Sequence, residues 1–216
     1  MAETVSFEQV AAGLKSGAKV LIEKRQYFND LDSQIGDSDH GDTIAYTFEK
    51  VLQALDSYDS SSGDIGDLLK KVGRGVTLSG GAAMGPLYGA ALSEAGKAVS
   101  GATQLDLDQL CEMWSAFAAG IEKRGEVKRG EKTMYDTVMP SVDAIREAKA
   151  QGEGLQQACE RTIEAARAGM EATREMESQR GRSSRLGQRS VGHIDPGSAS
   201  MFEFISSFFG SLCDGS

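Results

Sequence analysis

The chain has 216 residues, enough for one well-buried domain, and its 40% hydrophobic and 25% charged content is that of an ordinary soluble globular protein. A net charge of −9 and a sequence pI near 4.8 exclude nucleic acid or an anionic membrane as the main partner, and they repel a polyanionic ligand unless a cation mediates. Three widely spaced cysteines without a CxxC (Cys111, Cys159, Cys213) fit a reduced, cytoplasmic setting with neither a disulfide framework nor a zinc ribbon. No secretory leader is recognisable, and no apolar run approaches the roughly 20 residues that span a bilayer.

Ala, Leu, Glu, Lys, Gln and Met fill the segments between glycine-rich loops, and only three prolines occur, a helical composition. Val10, Leu14, Leu21 and Ile22 recur at helical steps and predict one amphipathic helix over 6–28. Helices follow over 43–56, 64–78 and 86–99. Leu107, Leu110, Met113, Trp114, Phe117 and Ile121 form a cleaner stripe, with Asp106 and Asp108 at the end where the helix dipole favours them. Further helices are predicted over 134–149, 154–178 and 196–212, the last with Met201, Phe204, Ile205, Phe208 and Leu212 on one face. Pro86 and Pro196 sit where a helix begins, whereas Pro140 falls inside a helical pattern and predicts a kink or a late start. No segment alternates long enough to predict a strand. The expectation is a single all-α domain over 1–216, a bundle of about eight helices with its loops gathered at the ends.

Four loops carry chemistry that a structural bundle does not need: 31–43 (LDSQIGDSDHGDT), 78–89 (LSGGAAMGPLYG), 123–136 (KRGEVKRGEKTMYD) and 179–200 (QRGRSSRLGQRSVGHIDPGSAS). In the first, an extended backbone projects Asp37 and Asp39 to the same side, with Asp32 at the end of the preceding helix. Converging carboxylates repel one another unless protons or cations intervene. The pattern is not an EF-hand, because Asp42 stands where the loop glycine belongs and Phe48 where its final Glu belongs. Magnesium, which takes few carboxylates plus a substrate's phosphate oxygens, fits; an acidic helix-capping turn is the plainer alternative. The second loop places free backbone N–H groups before a helix, an anion-attracting arrangement or simply a tight turn. GEVKRGEKT has the wrong spacing for a phosphate-binding P-loop, although Lys132 and Thr133 remain candidates to line a site. Arg180, Arg182, Arg185 and Arg189 make 179–193 the most basic stretch of an acidic chain, followed by His193 and Asp195.

In order, L-D-x-x-I-G-D-x-D-H-G, GPLYG, G-E-K-T-M-x-D and G-R-S-S-x-L-G-x-R-S-x-G-H-x-D-P-G resemble the nucleotide-binding L subunit of dihydroxyacetone kinase, over roughly residues 6 to 210. The resemblance implies a barrel of eight antiparallel helices that holds ADP or ATP at one end through two Mg²⁺ ions. It implies Asp32, Asp37 and Asp39 as metal ligands. His40, Gly41 and Thr43 are then expected at the phosphates with Ala83 and Met84, Gly125 and Met134 beside the adenosine, and Arg182 with Asp195, Pro196 and Gly197 completing the site. No residue is expected to act as a nucleophile. A separate K-type subunit holds a small ketose or triose covalently, and the L chain presents the phosphoryl group to it. The resemblance does not specify oligomeric state; a homodimer is compatible with it.

Two positions depart from the family pattern. Met84 stands where Ser is usual, and Thr43 where the relay-dependent subunits usually have Asn. Two donors therefore stay open, a resident ADP recharged by a phosphohistidine relay protein or exchangeable ATP, with Thr43 inclining toward ATP. Two other readings are a nucleotide-sensing module that regulates a partner without catalysis, which Met84 motivates, and a bundle that binds no nucleotide.

Overall fold

In a computed structural model that describes residues 3–78 and 83–213, the chain is almost wholly helical. The α-helices are α1 (Phe7–Glu23), α2 (Arg25–Ile35), α3 (His40–Asp56), α4 (Ile65–Leu78), α5 (Met84–Ala98), α6 (Leu107–Gly125), α7 (Tyr135–Ala150), α8 (Leu155–Ala172) and α9 (Pro196–Cys213). Single-turn 3₁₀ segments cover 60–62 and 173–175, and a kinked one covers 183–190.

Eight helices form a closed ring. Each packs on the next in the order α1, α3, α4, α5, α6, α7, α8, α9, and α9 returns to α1; α2 lies outside the ring against α3 and α9. Neighbours run antiparallel. Along α4 and α5, Gly66 meets Gly96 while Gly73 meets Gly89, and a Cβ on Gly73 would lie 2.8 Å from the Gly89 carbonyl oxygen. The expected antiparallel barrel is present. Its interior is a column of aromatic rings: Trp114 stacks on Phe117 at 4.6 Å and on Phe208, and Phe48 meets Tyr88 edge-on at 4.8 Å beside Phe204. Every ring in this column is at most 2% exposed. These are the apolar stripes read from the sequence, turned inward.

Three local expectations need correction. The helix predicted over 6–28 bends at Lys24 (φ −85°, ψ 14°) into α2. Hydrogen bonding continues across the bend, from Lys24 N–H to Val20 and from Phe28 N–H to Lys24. The buried stripe of α1 ends at Leu21, and Phe28 is buried next to His40, so α2 follows a different apolar surface. The helix predicted to run to 178 leaves α-geometry at Thr173, where carbonyls turn toward a buried ammonium described below. Two short strands, β1 (Val5–Ser6) and β2 (Gln104–Leu105), pair antiparallel, too short for any periodicity to reveal. Pro140 lies inside α7. It cannot donate to Asp136, and Gly169 of α8 packs there; a Cβ on Gly169 would be 2.4 Å from the Asp136 carbonyl oxygen.

Because ring helices alternate in direction, loops 36–39, 126–134 and 176–195 meet at one end together with the start of α5. The helices beginning at that end are α3, α5, α7 and α9. Those starting at the opposite end are all capped by side chains. Ser6 with Gln9 and Asp106 with Gln109 form capping boxes on α1 and α6, Asp64 accepts from Asp67 N–H of α4, and Glu3 accepts from Leu155 N–H of α8. At the loop-rich end α5 starts without a side-chain cap, whereas Asp32 and Asn29 of α2 accept from the His40 and Asp42 N–H groups of α3.

Two glycines of α4 give opposite expectations. A Cβ on Gly73 would sit 2.6 Å from Ser93 Oγ, so Gly73→Ala is destabilising by about 1–3 kcal/mol through overpacking. Gly75 is exposed and a Cβ there would make an ordinary 3.5 Å contact with Ala54, so Gly75→Ala stabilises by about 0.5–1 kcal/mol. Urea denaturation of the two variants measures both signs.

Candidate functional site

The first loop leaves α2 at Ile35 and re-enters helix at His40. Within it Ser38 adopts a left-handed backbone (φ 66°), so Asp37 and Asp39 converge through a tight turn rather than the extended strand the sequence suggested. Asp32, in the last turn of α2, folds back over them. Its Oδ2 accepts the backbone N–H groups of Asp39 (3.0 Å) and His40 (3.3 Å), and Gly36 leaves room for the carboxylate, since a Cβ there would stand 2.0 Å from Asp32 Oδ1. One oxygen of each of Asp32, Asp37 and Asp39 lies within 4.8 Å of the others. The fourth aspartate of the stretch, Asp42, is used elsewhere. It pairs with Arg25 and Asn29 of α2, whose hydrogen bonds hold its carboxyl below the usual carboxylate range.

The triad forms one wall of a cavity of about 530 Å³. All expected site residues except Gly41 line it: Asp32, Asp37, Asp39, His40, Thr43, Ala83, Met84, Gly125, Met134, Arg182, Asp195, Pro196 and Gly197. Gly41 faces away, where a Cβ would lie 1.9 Å from the Arg25 carbonyl oxygen; its absent side chain lets α3 pack on α2. Residues 79–82, part of the expected glycine-rich loop, lie outside the described residues. The lining also has an apolar part, from Ile35, Leu87, Ile121 and Val127. Ile121 belongs to a stripe that the sequence assigns to the core, whereas Ile35, Leu87 and Val127 lie within loops 31–43, 78–89 and 123–136, singled out for their chemistry without these apolar residues being named.

Three side chains differ in role from what their loops suggested. Asp195 caps α9: its Oδ2 accepts Ser198 N–H at 2.7 Å, and burial pushes its carboxyl up to about 7 against that hydrogen bond and the nearby Lys132. Lys132 does not point at an anion. It is 1% exposed, adopts a left-handed backbone (φ 60°), and donates from Nζ to the carbonyl oxygens of Thr173 (2.7 Å), Met176 (3.2 Å), Ser190 (2.8 Å) and His193 (2.6 Å). Burial lowers its pKa, with Asp195 acting the other way. His193 reaches across to Gln34, its Nδ1 2.7 Å from Oε1, and does not line the cavity.

Arg182 pairs with Asp37 and Asp39 and so supplies the triad's nearest positive charge. His40 packs edge-on against Phe28 and bonds through Nε2 to Ser200 Oγ at 2.9 Å. Ser200 donates its single hydroxyl proton to Gly197 O, so it accepts from Nε2–H. Burial lowers the His40 pKa to about 4 despite the neighbouring Asp32, and the ring is neutral at physiological pH.

The donor set tests which ion suits the triad. Three carboxylate oxygens without sulfur, opening onto a cavity, match a hard divalent cation that completes its shell with water and ligand oxygens. Beside them the start of α5, which no side chain caps among the described residues, and the start of α3, whose first-turn amides donate to Asp32 and Asn29, present the positive ends of two helix dipoles. The cavity is therefore built for a cation and an anion together, with an apolar face alongside.

A model of the DAK2 domain matches residues 34–210 of this chain. The ADP-binding subunit of PEP-dependent dihydroxyacetone kinase 2 from Listeria innocua is 39% identical over 181 residues, 83% of this chain and 83% of the relative. The corresponding subunit named for the PEP-dependent dihydroxyacetone kinase of Escherichia coli is 33% identical over 198 residues, 92% of this chain and 93% of the relative. The crystal structure of the dihydroxyacetone kinase from C. freundii in complex with AMP-PNP and Mg²⁺ has the same fold, with a TM-score of 0.69 at 21% identity. That match covers 100% of this chain but only 35% of the kinase chain. The chain belongs to the DAK2 domain family. No described helix is long and apolar enough to cross a membrane.

The half-buried, neutral His40 gives a pH expectation. Its folded pKa lies below the ordinary 6.5, so between pH 6.5 and 4 the unfolded chain takes up a proton that the folded chain refuses. Stability from this group is complete above pH 6.5 and falls by on the order of 3 kcal/mol as pH drops to 4. Ring-proton NMR of His40 should give a midpoint near 4, and replacing it with Gln should flatten that part of the stability profile.

Proposed function

We propose that this chain is the nucleotide-binding, phosphoryl-presenting subunit of a dihydroxyacetone-type kinase, working with a separate K-type subunit that holds a small ketose or triose. The observation that carries this reading is the convergence of Asp32, Asp37 and Asp39 to within 4.8 Å on a cavity flanked by the starts of α3 and α5. The relatives' names support it, since these subunits are called ADP-binding and belong to dihydroxyacetone kinases.

In this reading Asp32, Asp37 and Asp39 hold two Mg²⁺ ions, which neutralise and align the phosphate oxygens of ADP or ATP. Thr43 and the backbone N–H groups at Ala83 and Met84 bind the phosphates from the other side. The usual serine hydroxyl is lost at Met84, yet the amides of that uncapped helix start remain. Gly125 and Met134, with Leu87 and Val127, enclose the adenosine. Pro196 and Gly197 complete the floor, and Asp195 acts through the helix it caps. Arg182 shifts from the carboxylates toward the terminal phosphoryl group when cations take its place. His40, neutral and tied to Ser200, orients the first turn of α3 and moves no proton. No group of this chain attacks the phosphoryl; catalysis is positioning and charge neutralisation.

The similarity to PEP-dependent subunits favours a resident ADP recharged by a phosphohistidine protein over exchangeable ATP, in spite of Thr43. With a K-type subunit and dihydroxyacetone, turnover should require the relay proteins and phosphoenolpyruvate. Turnover with ATP–Mg²⁺ alone reverses the choice of donor, and retained ADP binding with no transfer from any donor recasts the chain as a nucleotide sensor. Calorimetry with ADP and Mg²⁺ checks the site itself: Asp37→Ala, which removes one anionic ligand, should weaken binding on the order of 100-fold. Equal binding by the variant and the parent removes the basis of the reading.

A further inference from the structure

Lys132 is the one described lysine that is buried, and it is held in a backbone conformation that side chains disfavour. Such an outlier persists only where surrounding contacts over-determine it. Its acceptors divide into two pairs. Thr173 and Met176 lie where the chain leaves α8, and Ser190 and His193 lie where it returns toward α9. Between them residues 177–189 make an excursion over the cavity that carries Arg180 and Arg182. One ammonium therefore ties the entry of this loop to its exit. An ammonium has three protons for four carbonyls, all within 3.2 Å, so the contacts include a shared one and the shell is full.

The lysine is also the hinge point between two loops. Adjacent Glu131 accepts from Gln179 N–H through its main chain and from Arg180 through its carboxylate, at 2.9 and 3.1 Å. Arg180 reaches the Glu126 carbonyl as well. The excursion is thus fastened to 126–134 on its outside by Glu131 and at its neck by Lys132. Arg182, two residues beyond Arg180, is the side chain that meets Asp37 and Asp39.

We propose that Lys132 is a positioning residue: its ammonium closes the neck of the 177–189 loop and thereby holds Arg182 over the aspartate cluster. The consequence for ligand binding rests on the nucleotide-site reading above, whereas the consequence for loop order does not. A buried ammonium here does the work of an internal structural cation, and a shorter neutral side chain leaves four carbonyls to draw water into the neck.

The test uses the full chain with Lys132→Ala and Lys132→Met, each with and without n-propylammonium, which replaces the missing atoms of the alanine variant. Trypsin reads loop order directly, because Arg180, Arg182, Arg185 and Arg189 are all cut sites. Cleavage within 180–189 should be about tenfold faster in both variants, since proteolysis follows the open population, and propylammonium should slow it again in the alanine variant only. In calorimetry both variants should bind Mn²⁺ alone at least as tightly as the parent, because Arg182 competes less for Asp37 and Asp39, while ADP with Mg²⁺ binds about tenfold more weakly. Adding Arg182→Ala to Lys132→Met should weaken ADP no further than Arg182→Ala does, because the lysine acts through that arginine. Unchanged cleavage overturns the proposal, as do multiplying effects in the double variant or a loss of Mn²⁺ affinity. Chains that fail to fold even with propylammonium overturn it too, since a general stabilising role then accounts for the lysine. If the parent itself does not bind ADP, the nucleotide reading falls and the cleavage result alone decides the neck.

Discussion

Closure of the helical ring by α1 against α9 is the constraint on which the rest depends. The two helices stand at opposite ends of the sequence, yet a Cβ on Gly13 would be 2.9 Å from the Phe208 ring and one on Gly17 2.8 Å from the Phe204 ring. The absence of side chains at those two positions brings the backbones close enough for the aromatic column to stack through the interior. An open row of the same helices would spread its loops along an edge. A closed ring brings them to a common centre, and only then do Asp37, Met84, Met134 and Pro196 share one cavity. Such closure depends on contacts very distant in sequence, so the site is complete only when the whole ring is.

Within that frame, charge is arranged with economy. The protein is acidic overall, and its three convergent carboxylates would raise the local negative potential further. Opposing this are the starts of four helices, Arg182 at the carboxylates, and Arg124 and Arg180 on the lining. Two buried ionisable groups beneath the cavity, Lys132 and Asp195, are occupied in holding backbone: one gathers carbonyls, the other caps a helix. Charged side chains here divide into those that face the cavity and those that build its walls.

Sequence alone revealed much of this division, and its failures have physical causes. The stripes of α6 and α9 were legible because inward-facing residues in a two-layered helix repeat at helical steps. The triad was legible because aspartate spacing around glycines limits where carboxylates can go. The bend at Lys24 was not, since the helical hydrogen bonds run through it and only the direction of burial changes. Lys132 and Thr133 were candidates to line a site, and both do line the cavity, but the role of the lysine was not legible. Its true partners are backbone carbonyls 41 to 61 positions away, and carbonyls carry no residue-specific signal. Asp195 shared the same ambiguity, for an aspartate before Pro-Gly serves a helix start as readily as a ligand.

The even number of ring helices has a geometric corollary for how the molecule can be handled. Glu3 touches the start of α8, and Gln9 bonds to the Leu212 carbonyl, so the first and last described residues, 3 and 213, lie together on the pole remote from the aspartates. A fluorophore, an affinity handle or a covalent attachment to a sensor chip placed at Glu3 or Cys213 therefore leaves the mouth turned toward solution. The same polarity lets this ring be joined end-on to another polypeptide without obstructing traffic at its opening.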